Sequence, residues 1–107
     1  MVAPNFKGRD NLEYEKVAAS QTAQVIGGTG GAGDYIEGIL VTPETTTPGV
    51  VTLLDGDVSI PLFVGGASSV GSLIPFFIPL GMVSATGAWK LTTGANVSCV
   101  VIGSFTS

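Results

Sequence analysis

The stretch Val50-Val51-Thr52-Leu53-Leu54-Asp55-Gly56-Asp57-Val58-Ser59-Ile60-Pro61-Leu62-Phe63 decides the fold. Two apolar runs rich in β-branched residues flank Asp55-Gly56-Asp57. Asp-Gly between such runs is a strong hairpin signal, because both turn positions tolerate positive φ. Pro61 has no N–H to give to a ladder, so its strand is expected at a sheet edge or a bulge.

Working outward, the same kind of signal repeats. Upstream, Pro48-Gly49 closes the loop Pro43–Gly49, and Asp34–Thr42 reads as a strand whose apolar end is buried. Thr22–Ile26 is a shorter strand ended by a glycine cluster. Downstream, Val64–Ser69 is a connection, and Val70–Ile78 reads as a strand interrupted by Pro75. Pro79-Leu80-Gly81 reads as a turn. Met82–Ala85 and Ala88–Thr92 are expected to pair across Thr86-Gly87, and Thr93–Asn96 turns the chain into a last strand. There Val97, Cys99, Val101, Gly103 and Phe105 share one face, while Ser98, Val100, Ile102, Ser104 and Thr106 share the other. No stretch shows a capped helical stripe. The expectation is an all-β domain, a small β-sandwich or jelly-roll-like barrel of seven or eight short antiparallel strands.

Composition adds a constraint on surface. Of 107 residues, 45% are hydrophobic and only 11% charged, against about 25% charged in ordinary soluble domains. Half of the charged residues lie in the first sixteen positions, and from Val58 onward Lys90 is the only one. The chain therefore divides into a charge-mixed leader, residues 1–20, and a charge-poor β body, residues 21–107. The leader reads as an extended arm ordered against a partner; a frayed terminus is the alternative. Lys7, Arg9, Leu12 and Tyr14 are its candidate partner-binding residues. A body so poor in charge suits a surface covered by neighbouring chains, because free monomers are usually kept apart by charge. The edges of an open sandwich need cover as well.

The same residues argue against several functions. Four basic residues make no patch able to neutralise a run of phosphates, so nucleic-acid binding is not expected. The uncharged stretch from Val58 to Trp89 exceeds a bilayer span in length, but its prolines, glycines and serines would leave backbone groups unpaired in lipid. Met1–Asn5 lacks the layout of a signal peptide, so folding in a cytoplasm is expected. Asn96-Val97-Ser98 matches a glycosylation sequon that matters only in a eukaryotic secretory pathway.

Gly28-Thr29-Gly30-Gly31-Ala32-Gly33 matches the dinucleotide fingerprint G-x-G-x-x-G literally. That fingerprint works only where a helix starts at the turn, and too few residues remain before Pro43 for a helix and a strand. Asp34 would also set negative charge beside the phosphates. The glycines read as a turning loop. With no histidine, triads, Cys/His dyads and nearly all zinc sites are out of reach. Cys99 sits among apolar residues and reads as a buried small side chain. Asp55 and Asp57 read as turn formers rather than calcium ligands. Asp34, Glu37 and Glu44 are candidates for a glycosidase pair in number only. Trp89 reads as core rather than as a sugar platform. No catalytic residue, cofactor or metal is expected.

Ala18–Thr22, Gly33–Ile36, Pro48–Gly56, Gly65–Val70 and Gly87–Ser98 together resemble a family of short proteins encoded by tailed bacteriophages and prophages. The likeness runs through most of the chain from about residue 18. It implies a structural protein of the virion, most simply a capsid decoration (cement) protein on the particle surface. The implied partners are the major capsid protein and further copies of itself, with no nucleic acid, membrane or small-molecule substrate. A head-fibre or tail-associated module that binds a host-surface glycan is the alternative, with Tyr35 or Trp89 on an exposed face.

Overall fold

The computed structural model describes residues 12–107. They form eight strands and no helix: β1 (Glu13–Val17), β2 (Gln24–Val25), β3 (Tyr35–Pro43), β4 (Val51–Asp55), β5 (Val58–Phe63), β6 (Phe76–Val83), β7 (Trp89–Thr93) and β8 (Val97–Ser104). All pairings are antiparallel. Two four-stranded sheets result, ordered β1-β8-β3-β6 and β2-β7-β4-β5. The fold is a β-sandwich. Its pairs 1·8, 2·7, 3·6 and 4·5 are those of one long hairpin rolled up between two sheets, which is the strand order of a jelly roll.

The hairpin forms where the sequence places it, with a different turn. Asp55 pairs with Val58, so the turn residues are Gly56 and Asp57. Only Gly56 has positive φ, at 62°, the pattern of a type II′ turn with glycine first. Pro61 meets both of its expectations. β5 is an edge strand, and its register against β4 shifts between Val51 and Thr52.

Three expectations need correction. First, residues 70–75 form no strand, and β6 runs through Pro79-Leu80-Gly81 instead of turning there. β6 is an edge strand that pairs with β3 alone, so a proline costs it little, and the β3 register shifts between Ile36 and Gly38 beside it. Second, Met82–Ala85 and Ala88–Thr92 do not form a hairpin. β6 and β7 lie in different sheets. The crossing between them is held by Asp55, whose carboxylate accepts hydrogen bonds from the Ala85 and Thr86 N–H groups at about 3.0 Å. Third, the strand at Thr22–Ile26 shrinks to two residues, because Ala23 adopts positive φ, 49°.

The described part of the leader lies on the body. β1 pairs with β8 from Glu13↔Gly103 to Val17↔Cys99. Glu15 occupies the inward-facing phase of the edge strand and closes that side of the sandwich. Its carboxylate accepts from the Gly27 N–H at 2.8 Å and from the Gln24 amide at 2.9 Å.

The core follows from alternation. Val97, Cys99 and Val101 of β8 are buried with Ile36, Ile39 and Val41 of β3, and face Val51 and Leu53 of β4 and Trp89 and Leu91 of β7. Trp89 is buried, and its indole N–H donates to the Asp34 carbonyl at 2.9 Å, as a buried indole requires. Among the described residues no buried polar side-chain atom lacks a partner.

Candidate interaction surface

Among the described residues, Glu15, Asp34 and Asp55 are engaged in building the fold. The glycine loop leads into β3, not into a helix. Four of its N–H groups are donated inside the chain. Thr29 and Gly30 bond to the Thr106 carbonyl, Gly31 to the Asp34 carboxylate, and Gly33 to the Ser84 carbonyl and hydroxyl. A phosphate cradle needs such groups unengaged. Asp34 is the centre of this clasp: buried, it also accepts from the Thr106 N–H at 3.0 Å and the Thr106 hydroxyl at 2.7 Å. The loop thus locks the C-terminal end of β8 to the start of β3.

The remaining acids are dispersed. Glu37 is exposed at the β3 bulge and accepts from the Tyr35 hydroxyl. Glu44 and Asp57 are exposed. Hydrogen bonds from the Ala85 and Thr86 N–H groups hold the Asp55 carboxyl below its ordinary range, against a smaller opposing effect of desolvation. Burial pushes the Cys99 thiol up to about 12. Among the described residues no three of His, Cys, Asp and Glu come together as a metal-ligand group, and no helix is long and apolar enough to cross a membrane.

What the fold does assemble is an apolar outer face on the β1-β8-β3-β6 sheet. Strand register sets residues in rungs across all four strands. One rung runs Lys16, Val100, Leu40, Phe77; the next runs Tyr14, Ile102, Gly38, Pro79. A third joins Ser104, Tyr35 and Val83. Tyr14 is 70% exposed, Val83 60% and Phe77 44%, while Val100, Ile102 and Leu40 are half-buried. Among the described residues, charge on this face is confined to Lys16 at its edge and Glu37 at the bulge. The other sheet differs. Its outer rungs are Val25, Lys90, Leu54, Ser59 and Thr92, Thr52, Pro61, with a cation and hydroxyls inside the face.

Of the residues singled out in the leader, Tyr14 stands on the apolar face and Leu12 lies half-buried just before β1. Lys7 and Arg9 lie outside the described residues. Sequence reasoning missed Leu40, Val100, Ile102, Phe77 and Val83 as surface. The signal was present: Val100 and Ile102 fall on the opposite phase of β8 from its buried residues.

The sheet edges, by contrast, are guarded against strand addition. β1 carries Glu13, Glu15 and Lys16, β2 has two residues, and β5 and β6 each contain a proline. Continuation of either sheet by an added strand is therefore disfavoured at these edges. Comparison with known protein families, curated proteins and solved structures finds no match to this chain.

Proposed function

We propose that this protein is a non-enzymatic structural component of a tailed-bacteriophage particle, a capsid decoration protein that binds the shell and assembles with copies of itself. The observation that carries the reading is the outer face of the β1-β8-β3-β6 sheet. It sets Tyr14, Ile102, Val100, Leu40, Phe77 and Val83 side by side with little charge among them. Contiguous apolar surface of this kind marks a protein contact, and the guarded edges favour a contact made face-on. The resemblance of residues 18–98 to short phage proteins supplies the particle, and the major capsid protein is the expected partner.

The glycan-binding alternative has less support. Trp89 is in the core and offers no stacking platform, and the Tyr35 hydroxyl is engaged by Glu37.

The test is co-purification. Mass spectrometry of gradient-purified particles from the phage that encodes the chain should detect it in stoichiometric amount. Purified chain should rebind particles stripped of it, and Ile102→Asp should not. Absence from the particles, with no binding of the wild-type chain to stripped shells, would refute the reading.

A further inference from the structure

Among the described residues, the sandwich is closed on one long side and open on the other. Among the described residues every fully buried apolar residue comes from β1, β3, β4, β7, β8 or the segments beside β2, β4 and β8, and none comes from β5 or β6. Burial fades along each inner rung towards these two strands. Val17, Cys99 and Val41 are buried, but Phe76, the next in the rung, is half-buried. Leu91 and Leu53 are buried, but Ile60 is half-buried. Leu62 and Phe63 of β5 and Ile78, Leu80 and Met82 of β6 share this state, packed against the core without being covered by it. On the opposite long side Glu15, Gln24 and Gly27 close the gap.

The connection between β5 and β6 leaves from the open side. Phe63 and Phe76 touch at its base, with ring centroids 5.4 Å apart. Its first half is tied down by the Gly66 N–H on the Pro48 carbonyl at 2.7 Å and the Ser68 N–H on the Thr47 hydroxyl at 3.3 Å. It presents Val64, Leu73 and Ile74 at 82%, 50% and 71% exposure.

We propose that a second copy of the chain closes this side, packing its own β5–β6 side and 64–75 connection against the first about a two-fold axis. The inference rests on the reading of the chain as an assembling block and names the surface through which copies meet. Two observations select a copy as the occupant. From Val58 to Trp89 there is no charged residue, so two chains that each carry a net charge of −4 bring no like charges together here. A charged partner would find no ion pair to make. The area also fits. At roughly 150–200 Å² per large side chain, the three exposed residues and the half-buried row leave about 600 Å² of apolar surface. That approaches the roughly 800 Å² each partner contributes to a stable complex. An isologous contact uses the same patch on both subunits, and Pro61 and Pro79 in the two edge strands make it a contact of side chains rather than a continued ladder.

The test is sedimentation equilibrium of the full chain over a range of concentration. The wild type should associate. Leu73→Asp/Ile74→Asp, at two exposed positions, should weaken association by more than about a hundredfold through burial of unpaired carboxylates, with an unchanged far-UV spectrum. Val25→Asp, on the outer face of the other sheet, should associate as the wild type does. A monomeric wild type, or a double variant that associates as tightly as the wild type, would overturn the proposal. A chain found in particles yet monomeric in solution would overturn this interface alone. A dimer broken by the double variant in a chain absent from particles would overturn the particle reading alone.

Discussion

The ring of Phe77 lies on Gly38. A Cβ at position 38 would overlap the Phe77 Cζ and lie 2.7 Å from the Ile78 carbonyl oxygen. The glycine sits at the β3 bulge, and the aromatic ring from the neighbouring edge strand covers the backbone it leaves bare. This pairing fastens β6, which has no other strand neighbour among the described residues, to the sheet. Gly38→Ala should displace the ring and cost about 1–3 kcal/mol, as overpacking does. Phe77→Ala should remove the ring's share of the clash, leaving only the Ile78 carbonyl contact, so the double variant should lose less than the sum of the two single losses. Urea unfolding of the three variants measures the coupling.

The clasp at Asp34 gives a second expectation. Asp34→Ala removes the acceptor for Gly31 and for both donors of Thr106. Hydrogen bonds to charged groups contribute about 1.5–3 kcal/mol each and stranded donors add a penalty, so the loss should be at least about 3 kcal/mol. Hydrogen exchange should rise first at Thr29, Gly30 and Thr106, whose backbone groups the clasp joins.

Acid should weaken the protein through Asp55. Its folded pKa is lowered, chiefly by the Ala85 N–H, from an ordinary value of 3.8. A depressed carboxylate contributes stability above its unfolded pKa and loses it as pH falls through the folded value. Wild-type stability should therefore exceed that of Asp55→Asn at neutral pH. The difference should shrink as pH falls below about 4. Unfolding midpoints of both proteins across the acid range measure it.

Cys99 should be inert in the folded protein. Burial pushes its thiol to about 12, which leaves almost no thiolate near neutrality, and the thiolate is the reactive form. A thiol reagent at mildly alkaline pH should label it only as fast as the chain unfolds, so the labelling rate should rise with denaturant.

The open side of the sandwich predicts unequal costs within one rung. Ile39 and Ile78 are register partners, yet Ile39 is buried and Ile78 is half-buried. Ile39→Ala should cost about 2–5 kcal/mol at any concentration. Ile78→Ala should cost less in dilute solution and more as copies associate. Denaturant unfolding at two protein concentrations separates the cases.

The architecture was readable where alternation and turn chemistry agree. Val97–Phe105 and the hairpin at Asp55–Val58 are local patterns, and both appear in the structure. Pro79-Leu80-Gly81 misled because a proline and a glycine are turn residues by local preference, while an edge strand tolerates both. The supposed Thr86-Gly87 hairpin failed because the Asp55 carboxylate, about thirty positions away in sequence, captures the crossing, a long-range bond that no local pattern reveals. The apolar face was legible only in part. Val100 and Ile102 stand on the exposed phase of β8, but their junction with Leu40, Phe77 and Tyr14 depends on strand order, and strand order is not written in any one segment.

The particle assignment is tested most directly by a cryo-electron microscopy map of the intact particle of the encoding phage. Density for this β-sandwich is expected on the capsid exterior, with the Tyr14–Ile102 and Leu40–Phe77 rungs against the shell and the β5–β6 side against another copy. A fully traced shell with no such density, or the sandwich bound through its Lys90 face with the β1-β8-β3-β6 face in solvent, would contradict it.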